Sequence, residues 1–418
     1  MTAGMPAGNV LQINTVYDRG GAAAVARTLH RAVNAGGGRF RSSFAFGRGQ
    51  GGPEAFRLTS AAEVGARGAK MRLFGLEGGW PGGAVERLAG EMARRAPDII
   101  HIHNLHGYYL DFVRFFGLLK AWGGPVVWTL HDCWPLTGRC TFPDACAAWR
   151  EGCGRCPRLK DYPRSLIDSS ARMLRRKKEA FASHAGLILV SPSEWLAGEA
   201  RSAFPESVRI RVINNAVDTE VFRPLPASRE DLRRGLGIPA GKKIVLFAAA
   251  DLKEERKGSR FIPELAAMLD PEKYHVVTAG SELPGLERTP VGVSQMGCIR
   301  DRARLVELYN AADVLCVTST ADNFPNTVLE AMACGTPTAA FATGGIPEQL
   351  AGACGLTVPV GRTSELRDVL ANMLSDASGS AARRAACRRK ALERYSIPVF
   401  LKGYLGLYEE LPTGGRRS

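Results

Sequence analysis

Residues 319–337 read Ser319-Thr320-Ala321-Asp322-Asn323-Phe324-Pro325-Asn326-Thr327-Val328-Leu329-Glu330-Ala331-Met332-Ala333-Cys334-Gly335-Thr336-Pro337. The apolar run just before them, 314–317, has the length and composition of a buried strand. Asp322 to Asn326 is turn chemistry, and Pro325 stands where a helix can begin. Residues 327–334 then read as a helix, closed by Gly335 and Pro337. This places Asp322 on the loop at the carboxyl end of a strand, and Glu330 one to two turns into the next helix. The helix N-terminus between them is a seat for an anion, because its first N–H groups have no intrahelical acceptor. An acid, an anion seat and a second acid suit a sugar joined to a nucleoside diphosphate.

Strand, loop and helix repeat in both directions from this stretch. Upstream, strand-like runs fall at 10–15, 43–46, 99–103, 126–130, 187–190 and 210–213, with helical stretches such as 22–35 and 110–122 between them. After a segment of linker composition, further runs fall at 244–249, 274–279, 314–317 and 338–342. The alternation predicts α/β architecture with two doubly wound parallel sheets. A chain of 418 residues is too long for one small core. The expected division is a first domain over 1–222, a linker over 223–240 and a second domain over 241–394. In doubly wound domains the functional loops sit at the carboxyl ends of strands, so substrate is expected in a cleft between the two.

Hydrophobic residues make up 45% of the chain and charged residues 23%, as in an ordinary soluble protein. No apolar run approaches the roughly 20 residues that span a bilayer. Residues 1–8 carry neither a basic start nor an apolar signal core, so the protein is expected in the cytoplasm. A net charge of +14 asks for an anionic partner. Nucleic acid is not expected as that partner: no zinc-finger, RNP or KH signature is present, and aromatics do not interleave with basic residues. An anionic membrane surface fits better, and a peripheral contact at the inner membrane face is the expectation it raises. The densest basic run is 172–178, which has helical character. Its plainest reading is a solvated helix face, and contact with lipid phosphates is the alternative.

The acidic stretch resembles the E-x7-E signature of retaining glycosyltransferases of family 4, with Asp322 in place of the first glutamate. Four other segments follow in family order. Val212-Ile213-Asn214-Asn215-Ala216-Val217-Asp218 resembles the end of the first domain, and Lys257-Gly258 a phosphate-binding pair. Leu308-Tyr309-Asn310-Ala311-Ala312-Asp313 resembles the helix before the acidic motif, and Gly344-Gly345-Ile346-Pro347-Glu348 the turn after it. The resemblance implies the GT-B fold, two Rossmann-like domains facing across a cleft. It assigns the acceptor side to the first and the nucleotide sugar to the second. It also implies that the closing helix, within 395–418, packs back on the first domain. The implied activity is retaining transfer of a hexosyl group from a nucleotide diphosphate sugar to a glycan or lipid-linked acceptor, in surface polysaccharide assembly. The colanic-acid and exopolysaccharide enzymes are the nearest in pattern, through His131-Asp132-Cys133-Trp134-Pro135-Leu136-Thr137-Gly138.

A departing diphosphate must be neutralised by a metal or by fixed cations and helix ends. No D-x-D sequence occurs, so no catalytic metal is expected. Relatives carry an arginine after the first strand of the second domain, where this chain has Ala248-Ala249-Ala250-Asp251. Arg256 is the candidate replacement, beside Lys257. The resemblance gives Glu330 the ribose hydroxyls, and sets Asp322 with the backbone of Asn323 and Phe324 against the donor sugar. Asn326 and Thr327 are read as donor contacts or helix caps. Gly20 and Gly21 open a helix after the first strand, where paired glycines let backbone amides approach a ligand. His131 follows the 126–130 strand, at the family's reaction centre, where a neutral imidazole can orient a sugar hydroxyl. His101 and His103 share a strand face, which could suggest a metal, but a cleft-lining role for His103 or His106 is the preferred reading.

Cys140, Cys146, Cys153 and Cys156 fall in one loop as C-x5-C-x6-C-x2-C. Disulfides are disfavoured in the cytoplasm, and four thiols with a C-x2-C pair can close a tetrahedral site. Structural zinc is the reading, with free thiols and disulfides as alternatives. Two other functions fit parts of the pattern: a UDP-sugar 2-epimerase, which needs no acceptor, and a non-catalytic basic binding module on the same fold.

Overall fold

The computed structural model describes residues 8–36, 38–79 and 83–412. The chain forms two units: Met1–Ile213 with Leu401–Ser418, and Asn214–Phe400.

The first unit holds a parallel sheet of seven strands: β1 (Gly8–Val16), β2 (Phe40–Arg48), β3 (Ala55–Arg57), β4 (Ile99–Ile102), β5 (Val126–Thr129), β6 (Leu187–Ser191) and β7 (Arg209–Val212). Their order is β3-β2-β1-β4-β5-β6-β7. The second unit holds six parallel strands: β8 (Lys243–Ala248), β9 (Tyr274–Ala279), β10 (Gly292–Gln295), β11 (Val314–Val317), β12 (Thr338–Phe341) and β13 (Gly355–Val358). These run β10-β9-β8-β11-β12-β13. In each sheet the order reverses beside the first strand, between β1 and β4 and between β8 and β11. At such a switch point neighbouring loops diverge and leave a crevice.

The central strands form where the chain is apolar on both faces. β6 reads Leu-Ile-Leu-Val-Ser and β11 Val-Leu-Cys-Val, and every residue of both is buried. Helices flank them because helical stretches carry their own start signals. Asp111 accepts from the backbone N–H groups of Val113 and Arg114 to open the helix Phe112–Trp122. That helix buries Phe112, Phe115, Phe116 and Leu119. Behind β5, Trp128 packs 4.9 Å from Phe181, which lies 4.9 Å from Phe116. Truncating one of these aromatics costs about 3–5 kcal/mol.

Three strands escape the sequence reading: β3, β10 and β13. All three are sheet edges, short and half-exposed, so they lack the apolar run that marks the central strands. Residues 223–240 are not a plain linker either. They contain the helix Arg229–Leu236, capped by Ser228. Buried Arg233 pairs with Asp313 at 2.7 Å and donates to the carbonyls of Ala311, Ala240 and Lys242. This segment belongs to the second unit.

The last helix, Ile397–Glu409, brings Tyr404 and Tyr408 into the first unit. The Tyr408 hydroxyl lies 2.6 Å from His101 Nδ1, and that of Tyr404 lies 2.8 Å from Thr129 Oγ1. Among the described residues no helix is long and apolar enough to cross a membrane.

Candidate functional site

The acidic stretch occupies the switch point of the second unit, on the loop leaving β11. A short helical turn, Glu255–Lys257, is fastened to the same loop. Thr320 N donates to the Arg256 carbonyl at 2.8 Å, and Thr318 Oγ1 to that of Lys257 at 3.2 Å. Gly258 has φ +65°, and a Cβ there would stand 1.8 Å from the Thr318 carbonyl oxygen. Only glycine permits that approach.

This fastening sets two cations on one carboxylate. Lys257 Nζ donates to Asp322 Oδ2 at 2.6 Å, and Arg256 Nη1 lies 3.5 Å from the same oxygen. Arg256 is also paired with Glu254 at 2.6 Å. Burial pushes the Asp322 carboxyl up, but Lys257 and Arg256 outweigh it and hold the group below the usual carboxylate range. The loop is pinned from its other side too. Gly344, with φ +55°, leaves no room for a Cβ against the Asp322 carbonyl, and Gly345 N donates to Asn323 O at 2.7 Å. Asn215 Nδ2 donates to Phe324 O, and the Phe324 ring packs edge-on against Tyr395.

The helix Asn326–Ala333 follows with no side-chain cap. Asn326 and Thr327 are therefore not caps but the first residues of the helix. Asn326 Oδ1 is buried without a hydrogen-bond partner. Glu330 is partly buried and accepts a hydrogen bond of 2.9 Å from the Tyr309 hydroxyl. Burial raises its carboxyl to about 7, against the opposing pull of Tyr309 and Arg302. Eight of the residues singled out from sequence thus share one loop system: Arg256, Lys257, Asp322, Asn323, Phe324, Asn326, Thr327 and Glu330. Chemically it offers two cations and an uncapped helix end to an anion, and a carboxylate to a pair of hydroxyls.

Gly20, Gly21 and His131 lie in the first unit. Gly20, at φ +88°, precedes the helix Gly21–Ala35, which also has no side-chain cap. His131 follows β5 directly, and its Nε2 lies 3.0 Å from His103 Nδ1. His103 Nε2 in turn lies 3.0 Å from the Gln12 amide. The rings of His101, His103 and His131 stack at 4.4 and 5.2 Å. Burial lowers the pKa of each, bringing that of His131 to about 4 although Asp132 opposes the shift. The stack is therefore neutral near pH 7. His106 instead faces Asp132, with Nε2 2.9 Å from Oδ2.

Sequence reasoning missed Gln12 and Tyr309. Gln12 had a signal, a lone amide inside the apolar strand Val10-Leu11-Gln12-Ile13, where it is fully buried. Tyr309 had none beyond its place in a matched segment.

Cys140, Cys146, Cys153 and Cys156 are partly buried free thiols. Among the described residues no group of three or more His, Cys, Asp or Glu is placed to hold a metal ion. The cysteine loop is shaped by left-handed residues at Asp144, Cys153 and Arg155, and by backbone anchors. Cys156 N donates to Asp168 Oδ2 at 2.7 Å, and Gly154 N to Ser170 Oγ at 3.1 Å. Beneath it the buried Lys177 donates to the carbonyls of Trp134 and Thr137.

Two parallel α/β units, each with candidate site residues on loops at the carboxyl ends of its strands, are the architecture of a GT-B protein. Solved structures agree: sucrose-phosphate synthase from Thermosynechococcus elongatus superposes with a TM-score of 0.70 at 19% identity, covering 96% of this chain and 98% of that one. Anabaena Alr3699/HepE, solved with UDP, gives 0.69 at 16% identity, covering 96% and 100%. Residues 19–221 match the family described as Glycosyltransferase Family 4, and residues 242–376 match Glycosyl transferases group 1. WcaC of Escherichia coli (strain K12), named for glycosyl transfer in colanic acid biosynthesis, is 32% identical over 96% of this chain and its own full length. The chain belongs to glycosyltransferase family 4 and is a hexosyltransferase.

Proposed function

We propose that this enzyme transfers a hexosyl group, with retention, from a nucleotide diphosphate sugar to a glycan or lipid-linked acceptor in surface polysaccharide assembly. The observation that carries the reading is the convergence of Lys257 and Arg256 on Asp322, beside an uncapped helix end and the Glu330–Tyr309 pair. The relative from Escherichia coli named for colanic acid supports the polysaccharide setting, and a neighbour solved with UDP-glucose supports the donor class.

In this reading the diphosphate lies on the N-terminus of Asn326–Ala333. Lys257 and Arg256 neutralise it, each such charge-assisted hydrogen bond contributing about 1.5–3 kcal/mol. Glu330, once ionised, accepts from two ribose hydroxyls. Asp322 and the amides of Asn323 and Phe324 face the donor sugar. As the sugar–phosphate bond breaks, positive charge develops on the sugar ring. The departing phosphate oxygen takes the acceptor proton, and the new bond forms on the face just vacated. In the first unit, His131 and the Gly20–Gly21 turn are substrate contacts.

Thermal unfolding with UDP, GDP, ADP, CDP and dTDP, each with and without EDTA, tests the donor seat. A ligand at 100 times its dissociation constant stabilises by about 2.7 kcal/mol. One nucleotide should raise the midpoint equally with and without EDTA. Silence across the panel would overturn the seat.

A further inference from the structure

The basic run at 172–178 begins the helix Ser170–Ala182, which buries Met173, Leu174 and Lys177 and exposes Arg172, Arg175 and Lys178. Beside its N-terminus lies an exposed apolar surface. Leu166 and Ile167 are 72% and 52% exposed, and Leu73 and Phe74, at the end of the helix Ala61–Phe74, are 50% and 48% exposed. The two segments are tied into one surface. Leu166 N donates to the Arg72 carbonyl at 2.8 Å, and Ser169 Oγ to that of Phe74 at 2.8 Å. Between them Gly75, at φ +65°, approaches Ile167 so closely that a Cβ would stand 2.4 Å from its carbonyl oxygen. Four large apolar side chains thus project from one locked junction.

Arg72, Arg164 and Arg172 flank this patch. All three are exposed, and among the described residues none forms an ion pair. Solvated proteins rarely display contiguous apolar side chains, and unpaired guanidinium groups around them favour an anionic partner and oppose a basic one. An apolar centre with a cationic rim matches the acyl boundary and phosphate layer of a bilayer, where each basic side chain contributes about 1 kcal/mol. We infer that Leu73, Phe74, Leu166 and Ile167 dock the first unit on an anionic lipid surface, with Arg72, Arg164 and Arg172 on the headgroup phosphates. This stands apart from the donor seat, which lies in the other unit.

Cosedimentation of the full chain with vesicles tests it. One set is phosphatidylcholine alone; the other contains about a third phosphatidylglycerol. Binding to the anionic set should be at least about tenfold stronger and weaken with salt. The double variants Leu166→Ser/Ile167→Ser and Arg164→Glu/Arg172→Glu should each lose it while keeping the nucleotide-induced thermal shift. Equal binding to both vesicle sets would overturn the inference. So would an apolar variant that sediments like the parent, or a parent dimer that this variant splits.

Discussion

Lys257 and Asp322 sit close enough, and buried enough, that neither can be removed alone without consequence. Lys257→Ala leaves a buried carboxylate with Arg256 as its remaining cation, and should lower stability by about 3 kcal/mol as well as abolish transfer. Adding Asp322→Asn should restore most of the stability and none of the activity. Urea titration alongside a transfer assay separates the two effects; activity in the double variant would remove both residues from the site. Glu330 carries a different signature. Its carboxyl is raised from 4.5 to about 7 by burial, so the fold favours the protonated form and loses stability as pH rises between those values. In the proposed function, ribose recognition by Glu330 needs the ionised form. Nucleotide affinity should therefore rise as pH passes from about 6 to about 8, and Glu330→Gln should bind weakly with no such dependence. A titration of affinity against pH in both proteins checks this. Tyr309 explains why the sequence could not show it. A carboxylate on a helix after Pro325 is legible, but the hydroxyl that meets it comes from a separate helix, and only folding reveals the raised pKa.

At the scale of elements, the turn Glu255–Lys257 and the loop after β11 are one device held by glycines. Gly258→Ala places a methyl group where the Thr318 carbonyl stands and forces a non-glycine residue to φ +65°, a conformation costing about 1–2 kcal/mol. The expected result is lost nucleotide affinity with the second sheet intact, read by thermal shift and circular dichroism. The Lys257-Gly258 pair was visible in the sequence, as were both acidic positions and the central strands, since each is written in adjacent residues. The edge strands β3, β10 and β13 were not, because half-exposed edges need no apolar run. The cysteine loop is a different case. Its spacing suggested a shared metal, but its path is set by left-handed residues and side-chain acceptors that spacing does not encode. Elemental analysis of purified protein decides between the readings: about one equivalent of zinc would mean the thiols close on metal, and less than about 0.1 equivalent would mean they stay free.

For the whole molecule, the last helix matters because it completes the first unit after the chain has passed through the second. His101, Thr129, Tyr404 and Tyr408 form one buried chain of hydrogen bonds in the first unit. Ending the chain at residue 400 would strip the hydroxyls from His101 Nδ1 and Thr129, costing about 1–3 kcal/mol for each buried polar group left unsatisfied, beyond the lost packing. Hydrogen exchange should then show protection lost in β4 and β5 and kept in β8 and β11. The same feature bears on how the chain is made. Ribosomes deliver the first sheet's strands early, and domains ordinarily fold in that order. Here the tyrosines that complete the first sheet's interior emerge after every residue of the second unit. During translation the second unit can finish while the first still waits, so the domain made first is the one a nascent chain must keep from aggregating longest.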